Sequence, residues 1–147
     1  MRKIFLVTLI FSIFSFSGWS ETLTMDDLVE RGGLYYKKFT NVPFTGQVSH
    51  FENGWLNEKR TFRNGKDDGL LEWYYESGQL RGQFNYKDGE LHGPSEWYYK
   101  NGQVKEKGTF IDGKEDGLSE GYYEDGQLKY KGQYKNYGTR GRRKNLR

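Results

Sequence analysis

Few residues in this chain have the type and spacing that catalysis requires. Its histidines are His50 and His92, and its 147 residues include no cysteine. That composition removes a thiol nucleophile, cysteine–zinc sites and a disulfide framework. His92 falls in the same column as Asp68 and Asp116, directly before a recurring glycine, and reads as a turn residue rather than a general base. His50 shares its column with Tyr74. The carboxylates Glu72, Glu96 and Glu120 also recur in register. An acid–base pair needs two carboxyl groups in different environments, whereas repetition supplies like ones. Asp67-Asp68 and Glu115-Asp116 lack the alternating oxygen ligands of a calcium loop, and no Walker or dinucleotide glycine pattern is present. No enzyme, no metal and no cofactor are expected.

What does recur is aromatic. Trp73, Trp97, Tyr75, Tyr99 and Tyr123 form one row, and Tyr74, Tyr98 and Tyr122 form a second on the opposite face. Either both rows pack between neighbouring elements, or one stays partly exposed as a binding strip, since Tyr and Trp anchor protein interfaces. Such rows also stack on sugar rings. Aromatics interleaved with Lys can hold single-stranded nucleic acid, but an acidic body argues against that partner.

The elements that position these side chains follow from a repeat. GLLEWYYESGQLRGQFNYKDGELH (69–92), GPSEWYYKNGQVKEKGTFIDGKED (93–116) and GLSEGYYEDGQLKYKGQYKNYGTR (117–140) start 24 residues apart, since 93 − 69 = 24 and 117 − 93 = 24. Residues 46–68 are a degenerate first copy, and the pattern decays at Tyr137. A fixed period of this size means a repeat array. Each unit holds two turn signals, as in Asn101-Gly102 and Asp112-Gly113, where positive φ favours hairpins. Between turns, alternation of period two places Val104, Gly108 and Phe110 opposite Lys105, Lys107 and Thr109, and Leu128, Tyr130, Gly132 and Tyr134 opposite Lys129, Lys131 and Gln133. The chain has no Ala, the best helix former, and 20 Gly. The expected fold is all-β, an elongated single-layer antiparallel meander of β-hairpins over residues 46–139. A lone hairpin buries too little to stand, so neighbours must complete one another.

Residues 21–45 read as an N-terminal cap: a short helix from Met25 to Arg31 ending at Gly32-Gly33, a strand at Leu34–Lys37, and an extended connection through Pro43. Ahead of it, Arg2 and Lys3 followed by the apolar run Ile4–Phe16 and Gly18-Trp19-Ser20 form an export signal cut after Ser20, which places the mature protein in the periplasm or outside the cell. Residues 140–147 (RGRRKNLR) are a basic, disordered tail with five cationic side chains. Residues 21–139 then hold 16 Lys+Arg against 20 Asp+Glu, a net of −4. Beyond residue 20, Leu, Ile, Val and Phe number 22 of 127 residues, below the roughly 20% usual in globular domains. Tyr and Trp must therefore supply much of the buried area.

The motif Y-Y-x-x-G-Q-[LV] followed by [YF]-x-[DN]-G-[KE]-x-[DH]-G resembles the variant MORN repeats of bacteria, and the segment GGLYYKKFTNVPFTG is similar to the opening of the YwqK-type antitoxin family. The resemblance covers roughly residues 31–141. It implies a hairpin ribbon that binds another protein, or else lipid, without chemistry of its own. Joined to an export signal, it points to an immunity-type or envelope-adaptor scaffold. The alternative is a glycan- or anionic-lipid-binding module using the aromatic strip and the basic tail.

Overall fold

The computed structural model describes residues 23–135 and the backbone of Lys144–Asn145. The export signal at residues 1–20 and most of the basic tail lie outside the described residues. A short hairpin, β1 (Leu28–Arg31) with β2 (Leu34–Lys37), precedes a single ten-stranded antiparallel sheet. Its strands are β3 (Gly46–Glu52), β4 (Trp55–Arg63), β5 (Lys66–Tyr74), β6 (Leu80–Lys87), β7 (Glu90–Tyr98), β8 (Val104–Ile111), β9 (Lys114–Glu115), β10 (Gly117–Tyr122), β11 (Leu128–Tyr134) and β12 (Lys144–Asn145). They run in sequence order across the sheet, which is the expected meander. Strands β9 and β10 both pair with β8, and between them the Asp116 amide donates to the Thr109 carbonyl at 2.8 Å. The tail was expected to be free, but at β12 it pairs with Gly132 and Gln133 of β11.

In the units at 69–92 and 93–116 the two turn signals give two different turns, whereas in the first copy Asn53 (48°) and Gly54 (86°) also close a two-residue loop, between Glu52 and Trp55. The second is a two-residue loop with both residues at positive φ, as at Asn64 (50°) and Gly65 (80°) or Asp112 (48°) and Gly113 (73°), the conformation that matches the twist of a hairpin. At the first, Tyr75, Tyr99 and Tyr123 each accept from the glycine three residues on and donate to the Gln carbonyl four residues on. That is a three-residue loop in which only Gly78, Gly102 or Gly126 has positive φ. Asn101 and Asp125 act there through their side chains, accepting from the amides of Gln103 and Gln127 at 2.9 Å.

The expected helix from Met25 to Arg31 is corrected. Only Met25–Asp27 forms a 3-10 turn, and Leu28–Arg31 is strand β1. The capping signal is real: the Thr24 amide and hydroxyl both donate to Asp27 Oδ2, at 2.8 and 2.9 Å. Gly32 and Gly33 both have positive φ, 60° and 77°, so they close a two-residue hairpin turn rather than cap a helix. Pairing with Leu34–Lys37 then takes the backbone bonds that a helix would have used.

The cap builds the principal core. Val48 and Phe62 are 1% exposed, with Leu28 and Phe44 buried around them and Leu23, Met25 and Tyr35 packed on the outside. The Tyr35 amide donates to the Gly65 carbonyl at 2.8 Å and the Gly65 amide to the Phe44 carbonyl at 2.7 Å, fastening the cap to the first hairpin. The Ser49 amide donates to the Leu23 carbonyl at 2.9 Å, so the cap also covers part of the β3 edge, which would otherwise offer unpaired groups to other chains. Farther along the sheet a second cluster forms from Leu71 and Phe84, both buried, with Trp73 and Trp97 over them.

Candidate functional site

The register aligns two lines of side chains across the sheet, one per face. On the aromatic face the line runs Glu58, Trp73, Gly82, Trp97, Glu106, Gly121, Tyr130. On the polar face the next residues along give Lys59, Glu72, Gln83, Glu96, Lys107, Glu120, Lys131. The aromatic line works by alternating size. Gly82 lies opposite both Trp73 and Trp97, whose rings meet at 5.2 Å and enclose Phe84 at 5.1 and 4.8 Å. In the third repeat the sizes exchange strands, with Gly121 on β10 and Tyr130 on β11. The expected tryptophan row therefore ends after Trp97, and both indoles are half-buried.

Each first-turn hairpin carries a bulge. Trp73 pairs with Gly82 but Tyr74 with Leu80, Trp97 with Glu106 but Tyr98 with Val104, and Gly121 with Tyr130 but Tyr122 with Leu128. The extra residues are Arg81, Lys105 and Lys129, and in the first copy Asn57, where His50 pairs with Glu58 but Phe51 with Leu56. Period-two alternation had put Lys105 with Lys107, and Lys129 with Lys131. The bulge re-aims them instead. Arg81 sits over the Tyr75 ring at 5.9 Å, Lys105 over Tyr99 at 5.8 Å and Lys129 over Tyr123 at 5.7 Å, whereas Lys107 lies over Tyr122 on the polar face at 5.6 Å. Sequence reasoning passed over these cations. Their signal was a positive side chain recurring every 24 residues, three positions after the turn glycine.

Tyr75 and Tyr99 link successive repeats. The Tyr75 hydroxyl donates to the Tyr98 carbonyl at 2.7 Å and the Tyr99 hydroxyl to the Tyr122 carbonyl at 2.8 Å. Tyr123, at 50% exposure, has no hydroxyl partner among the described residues. The first copy carries Phe51 in this column and can make no such bond. Tyr75→Phe and Tyr99→Phe should each lose about 1 kcal/mol, and Tyr123→Phe almost nothing. Urea unfolding of the three variants checks this, and three equal losses would refute the linking role.

On the polar face the tyrosines pair with glutamates two residues back. The Tyr98 hydroxyl donates to Glu96, which also accepts from Gln83 at 2.9 Å, and the Tyr122 hydroxyl donates to Glu120 at 2.8 Å. Burial, then the neighbouring Glu72 or Glu96, pushes the Tyr74 and Tyr98 phenols up to about 12. Both stay protonated at neutral pH and serve as donors, not bases. Glu120 is buried between Lys131 at 2.8 Å and Lys107 at 3.0 Å. Hydrogen bonds from Lys131, Lys107 and Tyr122 hold its carboxyl at about 2, below the ordinary 4.5. A carboxylate so firmly ionised is a poor proton donor. Because the folded value is depressed, its stabilisation is complete above about 4.5 and is lost as pH falls toward 2. Melting temperature should fall across that window, and more shallowly in Glu120→Gln. Parallel acid curves would show that Glu120 contributes nothing.

Among the described residues the two histidines lie apart on the surface. His92 Nδ1 lies 3.2 Å from Asp112 on the surface, and exposed His50 sits opposite Glu58. Shallow grooves open beside the aromatic line among the described residues. One, of about 310 Å³, is lined by Tyr75, Arg81, Trp97, Tyr98, Lys105 and Glu106. Another, of about 530 Å³, adds Trp55, Tyr74 and Lys100 and shares Tyr75 and Arg81. The arrangement offers aromatic walls and free cations, which is equipment for binding.

Residues 67–88, 91–112 and 115–136 each match the family model described as MORN repeat variant. The array is similar to this repeat at three successive places. The matches keep the 24-residue period, since 91 − 67 = 24 and 115 − 91 = 24. No curated protein matches the chain. Among solved structures it is similar to a S. aureus TarM mutant in complex with fondaparinux, alpha-GlcNAc-glycerol and UDP, at 9% identity and TM-score 0.40, covering 73% of this chain and 20% of that one. It is also similar to accessory secretory protein 1, 2 and 3 of Streptococcus pneumoniae, at 12% identity and TM-score 0.39, covering 86% of this chain and 21% of that one. The chain thus spans about a fifth of the length of either structure.

Proposed function

We propose that this chain is an exported, non-catalytic scaffold whose MORN-type array binds a protein partner, in an immunity-type or envelope-adaptor role. One observation supports this most: the Trp73–Trp97 pair is half-buried on the aromatic face, farther along the sheet than Val48 and Phe62, on which the cap packs. Paired indoles beside shallow grooves are the anchors on which interfaces depend. Export rests on the leader-like residues 1–20. The test is tagged full-length chain produced in its own host. A stoichiometric heteromer is expected, lost in Trp73→Ala and Trp97→Ala variants that keep their β circular dichroism, and retained in Gln83→Ala on the polar face. Recovery of the chain by itself would overturn the reading. Salt-sensitive binding to liposomes or peptidoglycan that disappears on deleting residues 140–147 would favour a lipid or glycan module instead.

A further inference from the structure

Resting on the protein-partner reading, we infer that Arg81, Lys105 and Lys129 form a track for an extended acidic segment of the partner, one bearing a carboxylate at every third residue. Each cation is the bulge residue of its hairpin, each is exposed, and each lies over the tyrosine of its own repeat, with Lys100 a further cation over Tyr75 at 5.9 Å. None of the three has an ion pair or hydrogen bond among the described residues. On the polar face, by contrast, Lys107 and Lys131 are both committed to Glu120. Glu106 lines the groove between Arg81 and Lys105, but its carboxylate accepts from the Tyr130 hydroxyl. The tyrosine rings hold the stems and heads of the cations in place while leaving their N–H donors unsatisfied.

Geometry selects the ligand. Successive cations are separated by two strands, so they recur about every 10 Å across the sheet. One turn of polyproline II rises about 9 Å over three residues and returns residues i, i+3 and i+6 to the same side of the chain. Carboxylates at i, i+3 and i+6 match that pitch, whereas alternate residues, about 7 Å apart, do not. Four strand steps separate Arg81 from Lys129. At roughly 20° of twist per step the track turns by about 80°. A flexible chain can follow that turn, but a flat membrane cannot meet all three cations together.

The experiment uses full-length protein and synthetic peptides of equal length and charge, with glutamate at every third or at every second position, followed by fluorescence anisotropy. The every-third peptide should bind at least tenfold more tightly. Arg81→Gln/Lys105→Gln/Lys129→Gln should lose that preference and at least tenfold in affinity. Lys66→Gln/Lys87→Gln/Lys114→Gln, an equal charge change beside the second turns, should lose less than threefold. Equal binding of both peptides, equal losses in both variants, or tighter binding to phosphatidylglycerol vesicles or an acidic polysaccharide would overturn the track. A native heteromer that persists in the Arg81 triple variant would overturn it too, while leaving the protein-partner reading intact.

Discussion

Phe62→Ala should remove about 3–5 kcal/mol of folding stability, the amount expected when a fully buried ring is deleted. Phe62 is 1% exposed and meets the rings of Tyr35 at 5.0 Å and Phe44 at 5.9 Å, with the Arg60 guanidinium 5.1 Å from its centroid. Arg60 is itself paired with Asp67 through two hydrogen bonds, at 2.6 and 3.0 Å. The surrounding groups are therefore tied down and cannot collapse into the space. The array supplies its own control, because Phe110 occupies the same repeat position 48 residues on (110 − 62 = 48) and is only half-buried. No cap lies over it among the described residues, so Phe110→Ala should cost about 1–2 kcal/mol, the share left to a partly exposed ring. Denaturant unfolding of both variants makes the measurement. Equal losses would mean that the cap adds nothing to the energy of the first hairpin, and that the array holds itself together by pairing alone.

The meander was legible because its determinants are local and repeated. Asn-Gly and Asp-Gly fix the turns, period-two alternation fixes the strands, and a 24-residue period forces neighbours to adopt like conformations. The cap was only half legible, for a physical reason. Thr24 and Asp27 do make the hydrogen bonds of a helix start, but whether the chain continues as helix is decided downstream. As part of strand β1, Leu28 is buried with Phe44 and Phe62. A Gly-Gly pair is equally able to end a helix or to close a hairpin, so composition could not choose between them.

At the site, residue types were legible and their directions were not. Trp73, Trp97, Tyr75 and Tyr99 fell on the expected face, and Tyr74, Tyr98 and Tyr122 on the other, because alternation governs them up to the bulge. The bulge lies beyond such counting: one extra residue in β6, β8 and β11 moves Arg81, Lys105 and Lys129 out of the parity of their neighbours. Likewise, the Tyr75 and Tyr99 hydroxyls find their acceptors in the next repeat, 23 residues away. No pattern within one unit announces that bond, although the first copy's phenylalanine at this position shows that the bond is optional.

The exchange of Trp and Gly between strands gives the second large effect. Gly121 stands where the earlier repeats carry tryptophan, so Gly121→Trp looks like repair toward the consensus. It should instead destabilise by about 3 kcal/mol, the upper range for overpacking. A Cβ at Gly121 would lie 2.1 Å from Tyr130 Cε1 and 2.6 Å from its Cζ. The ring would have to leave the sheet and give up its hydrogen bond to Glu106. Tyr130→Gly alone should also destabilise, since it empties the space above Gly121 and adds backbone freedom to a strand. Together, the two changes recreate the pairing of Trp73 with Gly82, and the double variant should recover about 2 kcal/mol relative to the sum of the single losses, within the coupling range of residues in contact. A double-mutant cycle by urea unfolding measures that term, and strict additivity would show that size matching across the strands does not govern this face. The same double variant lengthens the tryptophan line by one repeat. If the line is the binding surface, partner affinity should rise with it, which separates a face used for recognition from one used only for packing.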